Sequence, residues 1–384
     1  MLPARADTKP SLADVFPSCL ASLSGEANRL GLRAAKSVVV VLVDGLGQRA
    51  LTQLPGHVRH LRARYGAAVA IDSGFPTTTA SALATLTTGT LPGQHGMVGY
   101  AVFDESAGTV VNQLSGLPSG DWQLQPTVFE TAIAAGFRAR VIAAERYRGT
   151  TFTEGVLRGA DFVPGASIQD RMDAAAAALT EPGPPQLIYV YVPELDQAAH
   201  GHGWEGPQWT AALEKLDSAF GRLLSALGPD DGLIVTGDHG MVDVAAYNHI
   251  LYDTAPALMD GVAHVGGEPR CLQLYFAPDA TDATRAATEA AWRASEGKRA
   301  WVATKQEVID AGWLGQVLPE VLPRLGDLFV AARKSVAYYA SDASSGSRGM
   351  VGQHGSLSQE ELRVPLLRFG AFELGNGAIA PTGL

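Results

Sequence analysis

An acid and an imidazole stand side by side in Thr236-Gly237-Asp238-His239-Gly240-Met241, directly after the apolar run Leu233-Ile234-Val235. In open α/β sheets, ligands bind in the crevice beyond the carboxyl ends of the strands. Two other apolar runs end in similar chemistry. Val38–Val43 leads into Asp44-Gly45, and Leu187–Val192 is followed by Asp196 and His200. A further piece, Gln353-His354-Gly355, lies far downstream. Carboxylate oxygens and imidazole nitrogens gathered at loop mouths suit a site for two divalent cations of hard-to-borderline character.

Taken singly, each residue has a plainer reading. Asp-Gly after a strand is most often a turn. Asp196 and His200 are four apart, so one helical turn would point them the same way, a common spacing. Asp238 and His239 could form a hydrogen-bonded pair without metal. The argument rests on the set, in order, on one scaffold.

The run Phe75-Pro76-Thr77-Thr78-Thr79-Ala80-Ser81-Ala82 places hydroxyls where a helix over Thr79–Thr87 should start. A threonine there sits beside free backbone N–H groups and the positive end of the helix dipole. That setting favours an alkoxide or a phosphoryl oxygen. Threonines before helices are more often caps, and the segment alone favours that reading.

These residues need a scaffold, and the apolar pattern supplies one. Val38–Val43, Val141–Ala144, Leu187–Val192 and Leu233–Thr236 are short, apolar and bounded by turn residues, as strands buried on both faces read. Helices are expected over Val58–Arg64, Thr127–Ala135, Ile168–Leu179 and Pro207–Leu227. The last carries Trp209, Leu213, Leu216, Phe220 and Leu224 at three-to-four spacing, an apolar stripe suited to a sheet face. The alternation predicts an α/β fold, a doubly wound and mostly parallel sheet sandwiched by helices. After Asp243 the pattern changes. A Gly-Gly-Glu-Pro turn, the alternating strand Cys271–Phe276 and an Ala-rich helix Ala280–Glu296 predict a small inserted α+β cap. The expected organisation is a core of residues 1–245 and 340–384 with a cap at 246–339. The chain returns to the core through the Gly-rich segment Ser344–Gly355 and a closing strand Val364–Phe369.

At 384 residues with 46% hydrophobic and 18% charged composition, the chain reads as globular. Its net charge of −10 and lack of a Lys/Arg block argue against a nucleic-acid polymer as partner. No run approaches about 18 apolar residues, so no membrane span is expected. The first residues lack a secretory pattern, which makes a cytoplasmic location the expectation. Two cysteines exclude a disulfide framework, though not one bridge. Gly45-Leu46-Gly47 fails as a dinucleotide fingerprint because Ala50 stands where the third glycine belongs.

In order, Val43-Asp44-Gly45, Phe75–Thr79 with Thr88-Gly89, Leu91-Pro92-Gly93-Gln94-His95-Gly96, Asp196–His200, Thr236–Met241 and Gly352–Gly355 resemble the alkaline phosphatase superfamily, specifically its nucleotide pyrophosphatase/phosphodiesterase-like branch. The resemblance runs from residue 38 to about 369. It implies two zinc sites, with manganese or iron as other candidates. One would use Asp196, His200 and His354. The other would use Asp44, Asp238 and His239, with the Thr79 hydroxyl as a further ligand. It also implies Thr79 as nucleophile, a phosphothreonine intermediate and the Ala80 backbone N–H as a phosphate donor. His202 and Glu194 are reserve ligands. The substrate would be a small phosphoester or nucleotide.

One departure stands out. Relatives of this branch usually carry Asn three residues after the nucleophile, where this chain has Ala82. A charge-assisted hydrogen bond of that kind is worth about 1.5–3 kcal/mol. Arg270 is a candidate replacement, against the plainer reading of a solvated loop charge. Phosphomonoesterase, phosphonate hydrolase and cofactor-independent phosphomutase are the other readings within the superfamily. Mutase relatives normally present Ser at the nucleophile, which counts against that one. A sulfatase lacks its Cys/Ser-x-Pro-x-Arg context. Outside the superfamily stands a non-catalytic α/β binding protein stabilised by zinc.

Overall fold

Val38 to Val43 are all fully buried, and their side chains alternate between two separate cores. Val38, Val40 and Leu42 pack with Phe16, Leu86 and Phe129 on one face. Val39, Val41 and Val43 pack with Trp209, Leu213 and Phe220 on the other. Period-two alternation in a strand with helices on both sides produces this division. Each such side chain contributes about 1.5–3 kcal/mol of burial. The computed structural model describes residues 2–6, 8–62, 69–118 and 120–373.

The strand Ser37–Val43 lies in the middle of a seven-stranded sheet. In spatial order the strands are Val69–Asp72, Arg363–Gly370, Asp231–Gly237, Ser37–Val43, Gln186–Val192, Arg138–Ala143 and Asp161–Pro164. Ser37–Val43 pairs in parallel with both Gln186–Val192 and Asp231–Gly237. Arg138–Ala143 continues the parallel set, whereas Arg363–Gly370 runs antiparallel. The register puts Val43 opposite both Val192 and Gly237, so three strand ends are level. Asp44, Asp238 and the turn toward Asp196 therefore open onto one edge.

The α/β sandwich read from the sequence is the observed fold. Its helices follow the same reading at Val128–Ala134, Ile168–Thr180 and Pro207–Ala226. Of the helix expected at Val58–Arg64, Arg59–Arg62 is helical, and residues 63 and 64 lie outside the described residues. The short edge strand Asp161–Pro164 had no apolar run to announce it.

A six-stranded sheet holds most of the remaining strands, in the order Ala300–Thr304, Leu328–Ala332, Cys271–Phe276, Val262–Glu268, Ala101–Asp104 and Thr109–Asn112. The Ala101–Asn112 hairpin joins it through Gly267 opposite Ala101, although its residues fall within the stretch assigned to the core from sequence. Gly266 and Gly267 lie inside a strand, and the turn comes at Pro269-Arg270. A Cβ on Gly267 would sit 2.0 Å from the Cys271 carbonyl oxygen, and its φ is +79°. Glycine is required there because both the backbone conformation and the neighbour exclude a side chain. Cys19 and Cys271 are both buried free thiols. No helix among the described residues is long and apolar enough to cross a membrane.

Candidate metal centre

Asp44 follows its strand directly and is 3% exposed. Its Oδ2 accepts from the Tyr191 hydroxyl at 2.5 Å, while Oδ1 has no hydrogen-bond partner among the described residues. Asp238, fully buried, divides its oxygens in the same way. Oδ1 accepts from the Gly45 and His239 N–H groups at 3.1 and 3.0 Å, and Oδ2 is unpartnered. Asp196, on the helix Glu194–His202, also leaves Oδ1 without a partner. Buried polar atoms are nearly always satisfied, so unpartnered carboxylate oxygens gathered together need an explanation.

The histidines share one orientation. Nδ1 of His239, His200 and His354 meets the carbonyl oxygens of Gly240, Gly352 and Thr77 at 3.3, 2.8 and 2.8 Å. A carbonyl only accepts, so each Nδ1 carries a proton and Nε2 is the ring atom left to meet a cation. His239 Nε2 faces Asp44 Oδ1 and Asp238 Oδ2, each at 3.4 Å. His200 and His354 Nε2 face the same Asp196 Oδ1 at 3.3 and 3.8 Å. A divalent cation satisfies that donor set, and two groups have the make-up to hold one. Asp44, Asp238 and His239 form the first; Asp196, His239 and His354 form the second, all ligand atoms of a group lying within 4.8 Å of one another.

His239 thus belongs to both groups, and its ring stacks on that of His354 at 3.6 Å. His200 reaches the second group through Asp196. Of the reserve ligands, Glu194 is engaged by the Arg171 guanidinium and His202 is exposed.

Electrostatics agree with the geometry. Burial pushes the Asp44 carboxyl well above the usual range, and the charges of Asp238 and Asp196 push it further. Burial likewise raises Asp196. His354 is pushed well down by burial and by His239 and His200, which keeps its ring neutral. A divalent cation would favour the charged carboxylates and neutral rings that bind it.

The three threonines have different positions. Thr77 Oγ1 donates to the Ser356 carbonyl and accepts from Gly355 N–H. Thr78 is the N-cap of the helix Thr79–Thr88 but makes no side-chain capping bond. Thr79, the first helical residue, places Oγ1 3.2 Å from His239 Nε2. Its hydroxyl faces the carboxylate–histidine cluster and does not cap the helix. Ala80 N–H, in the same uncapped first turn, has no intrahelical partner.

A model of the type I phosphodiesterase / nucleotide pyrophosphatase family matches residues 38–357. The chain belongs to this family. Such phosphodiesterases are metal-dependent phosphoester hydrolases. Solved structures share the fold. Murine ectonucleotide pyrophosphatase/phosphodiesterase 5 aligns with a TM-score of 0.68 at 20% identity, covering 87% of this chain and 88% of the other. Phosphonoacetate hydrolase from Sinorhizobium meliloti 1021, in complex with phosphonoacetate, aligns with a TM-score of 0.69 at 18% identity, covering 91% and 93%. A phosphopentomutase from Methylobacterium sp. (strain 4-46) is 38% identical over 69 residues. That match covers 18% of this chain and 17% of the mutase.

The carboxylate–histidine cluster opens into a cavity of about 720 Å³. Its lining includes Tyr100, Leu117, Tyr147 and Phe152. Arg270 takes no part in it, neither as a phosphate contact nor as a solvated charge. The residue is fully buried, and its guanidinium grips Glu361 with two bonds of 2.7 Å. Glu361 in turn accepts from Ser356 N–H through its carboxylate and from Gly240 N–H through its carbonyl. The pair therefore anchors the segments that carry His354 and His239.

Sequence reasoning missed Tyr191, Glu268 and Arg146. Burial, then the charges of Asp44 and Asp238, holds the Tyr191 phenol protonated, so it donates to Asp44. Its alternation with Tyr189 on the strand Gln186–Val192 was the available signal. Glu268 Oε2 lies 3.6 Å from His354 Nδ1, a contact between distant segments that no motif encodes.

Proposed function

We propose that this phosphodiesterase-family protein hydrolyses a phosphodiester or nucleotide pyrophosphate at a pair of divalent cations, with Thr79 as nucleophile. The observation that carries the reading is the Thr79 hydroxyl beside His239 Nε2, amid unpartnered oxygens of Asp44 and Asp238. Asp44, Asp238 and His239 would hold one cation. Asp196, His200 and His354 would hold the other, with His239 bordering both. Mixed oxygen and imidazole ligation suits zinc, with manganese or iron as other candidates. Bound cations supply positive charge that favours loss of a hydroxyl proton and offsets charge on phosphoryl oxygens.

The chain's own groups do the rest. Thr79 Oγ1 gives up its proton to solvent and bonds to phosphorus as the ester oxygen departs with its bonding pair. Water then attacks the phosphothreonine and returns the hydroxyl. The Ala80 N–H, at the positive end of the helix Thr79–Thr88, donates to a phosphoryl oxygen. Residues 246–339 act as a cap that contributes Glu268 and Pro269 to the cavity wall. Murine phosphodiesterase 5 has been solved as an inactive threonine-to-alanine variant in complex with AMP, which supports this assignment. A small substrate in a cytoplasmic setting fits the cavity and charge.

Phosphonate hydrolysis is the second reading, favoured by Ala82 and by the fold shared with phosphonoacetate hydrolase. Turnover of a phosphate diester and the matching monoester, with one aryl leaving group, separates the two. A diester preference supports the first reading. Activity on neither, with metal bound, supports a phosphonate.

A further inference from the structure

The cavity is acidic where it meets the metal centre, with Asp44, Asp196 and Glu268 in its wall. Among the described residues that line it, Arg146 is the one Lys or Arg. It lies on the short turn Glu145–Tyr147, just past the strand Arg138–Ala143, on the same edge of the sheet as the ligands. Among the described residues its one side-chain hydrogen bond goes from Nη2 to the Tyr147 hydroxyl at 3.0 Å, and its guanidinium lies over the Tyr147 ring at 4.8 Å. It forms no ion pair among them; Glu194, the nearby carboxylate whose charge it feels, gives Oε1 to Arg171 and leaves Oε2 without a partner. A guanidinium held over an aromatic ring, with one N–H on the ring's hydroxyl, keeps further N–H groups for a planar anion.

The spacing is defined by side chains. Tyr147 meets the Tyr191 ring edge-on at 5.6 Å, and Tyr191 donates to Asp44. Arg146 therefore stands two tyrosine rings away from the metal centre. An anion bonded directly beside the phosphorus would not span that gap. An aromatic or apolar body would, lying along Tyr147, Phe152 and Leu117.

We propose that Arg146 is a specificity-determining residue: it binds a carboxylate or second phosphate at the far end of the substrate's organic part. The inference rests on the phosphoester-hydrolase reading. The substrate class is thus a phosphoester of an aryl or similarly extended group that bears a remote negative charge.

The test uses the metal-loaded full chain and two diesters with 4-nitrophenolate as common leaving group. The retained group is phenyl in one and 4-carboxyphenyl in the other. Arg146 is exposed, so the native protein should prefer the carboxylate by about two- to fivefold in kcat/KM, mostly through KM, as an exposed charge pair allows. Arg146→Gln should bring that ratio toward one, and Arg146→Lys should restore part of it. A native ratio of one, or a preference that survives Arg146→Gln, overturns the proposal. Equilibrium binding of 4-carboxyphenyl and phenyl phosphonates provides a readout without turnover. If neither diester is cleaved but binding shows the Arg146-dependent preference, the hydrolase reading fails and the anion subsite stands. Equal binding by both proteins removes the subsite.

Discussion

Tyr191 donates to one oxygen of Asp44 and thereby leaves the other facing His239 Nε2 at 3.4 Å. A carboxylate held in this way presents a fixed lone pair to a cation. Removing the donor frees the carboxylate to rotate, so Tyr191→Phe should weaken divalent-cation binding by about 10- to 100-fold, the usual effect of losing a partner behind a ligand. Calorimetric titration of the metal-free protein measures it. Unchanged affinity would mean that Asp44 is oriented by something else.

Arg270 and Glu361 are both buried and doubly bonded. Deleting one partner strands a charge in the interior, so Arg270→Met should lower unfolding free energy by about 3–5 kcal/mol in urea titrations. A loss below about 1 kcal/mol would show that the interior tolerates the bare carboxylate by taking up a proton.

His95 gives a pH prediction. Burial lowers it from 6.5 to about 3, and it accepts from Met97 N–H while pairing with Thr85 at 3.0 Å. Between about pH 6.5 and 3 the unfolded chain takes up a proton that the folded chain does not. Stability should therefore fall with acidity across that window, by up to about 1.4 kcal/mol per pH unit from this group. His95→Gln should flatten the slope of unfolding free energy against pH. An identical slope in the variant would assign the acid sensitivity to other groups.

Cation binding should stabilise the fold. A cation that binds only the folded state adds about 2.7 kcal/mol at a hundred times its Kd, so chelation should lower Tm and readdition should restore it. In Asp238→Asn the shift should shrink, since an amide supplies less charge to the group it shares with Asp44 and His239. A full shift in that variant would take Asp238 out of the ligand set.

Much of the site was legible because strands in a parallel sheet announce both their span and their ends. Val38–Val43 and Leu233–Thr236 are apolar on both faces, and the residues directly after each must lie at the ligand edge. That rule put Asp44, Asp238 and His239 at one edge, and the structure brings the three together. Arg270 was misread because its meaning depends on Glu361, a partner 91 residues away that no local pattern reveals. The Ala101–Asn112 hairpin was missed for a similar reason, since its neighbour is a strand more than 150 residues downstream. Arg146 comes after a strand end too and is exposed, but a lone arginine in a short turn carries no signal that it also lines a cavity.

The claim at the centre is that Thr79 is the nucleophile and not a helix cap. Thr79→Ala, loaded with metal and assayed on a 4-nitrophenyl diester, tests it most directly. Metal content should match the native protein within error, while kcat falls by about a thousandfold or more, as loss of a covalent nucleophile requires. A variant that retains metal and turns over within about tenfold of the native rate would contradict the assignment.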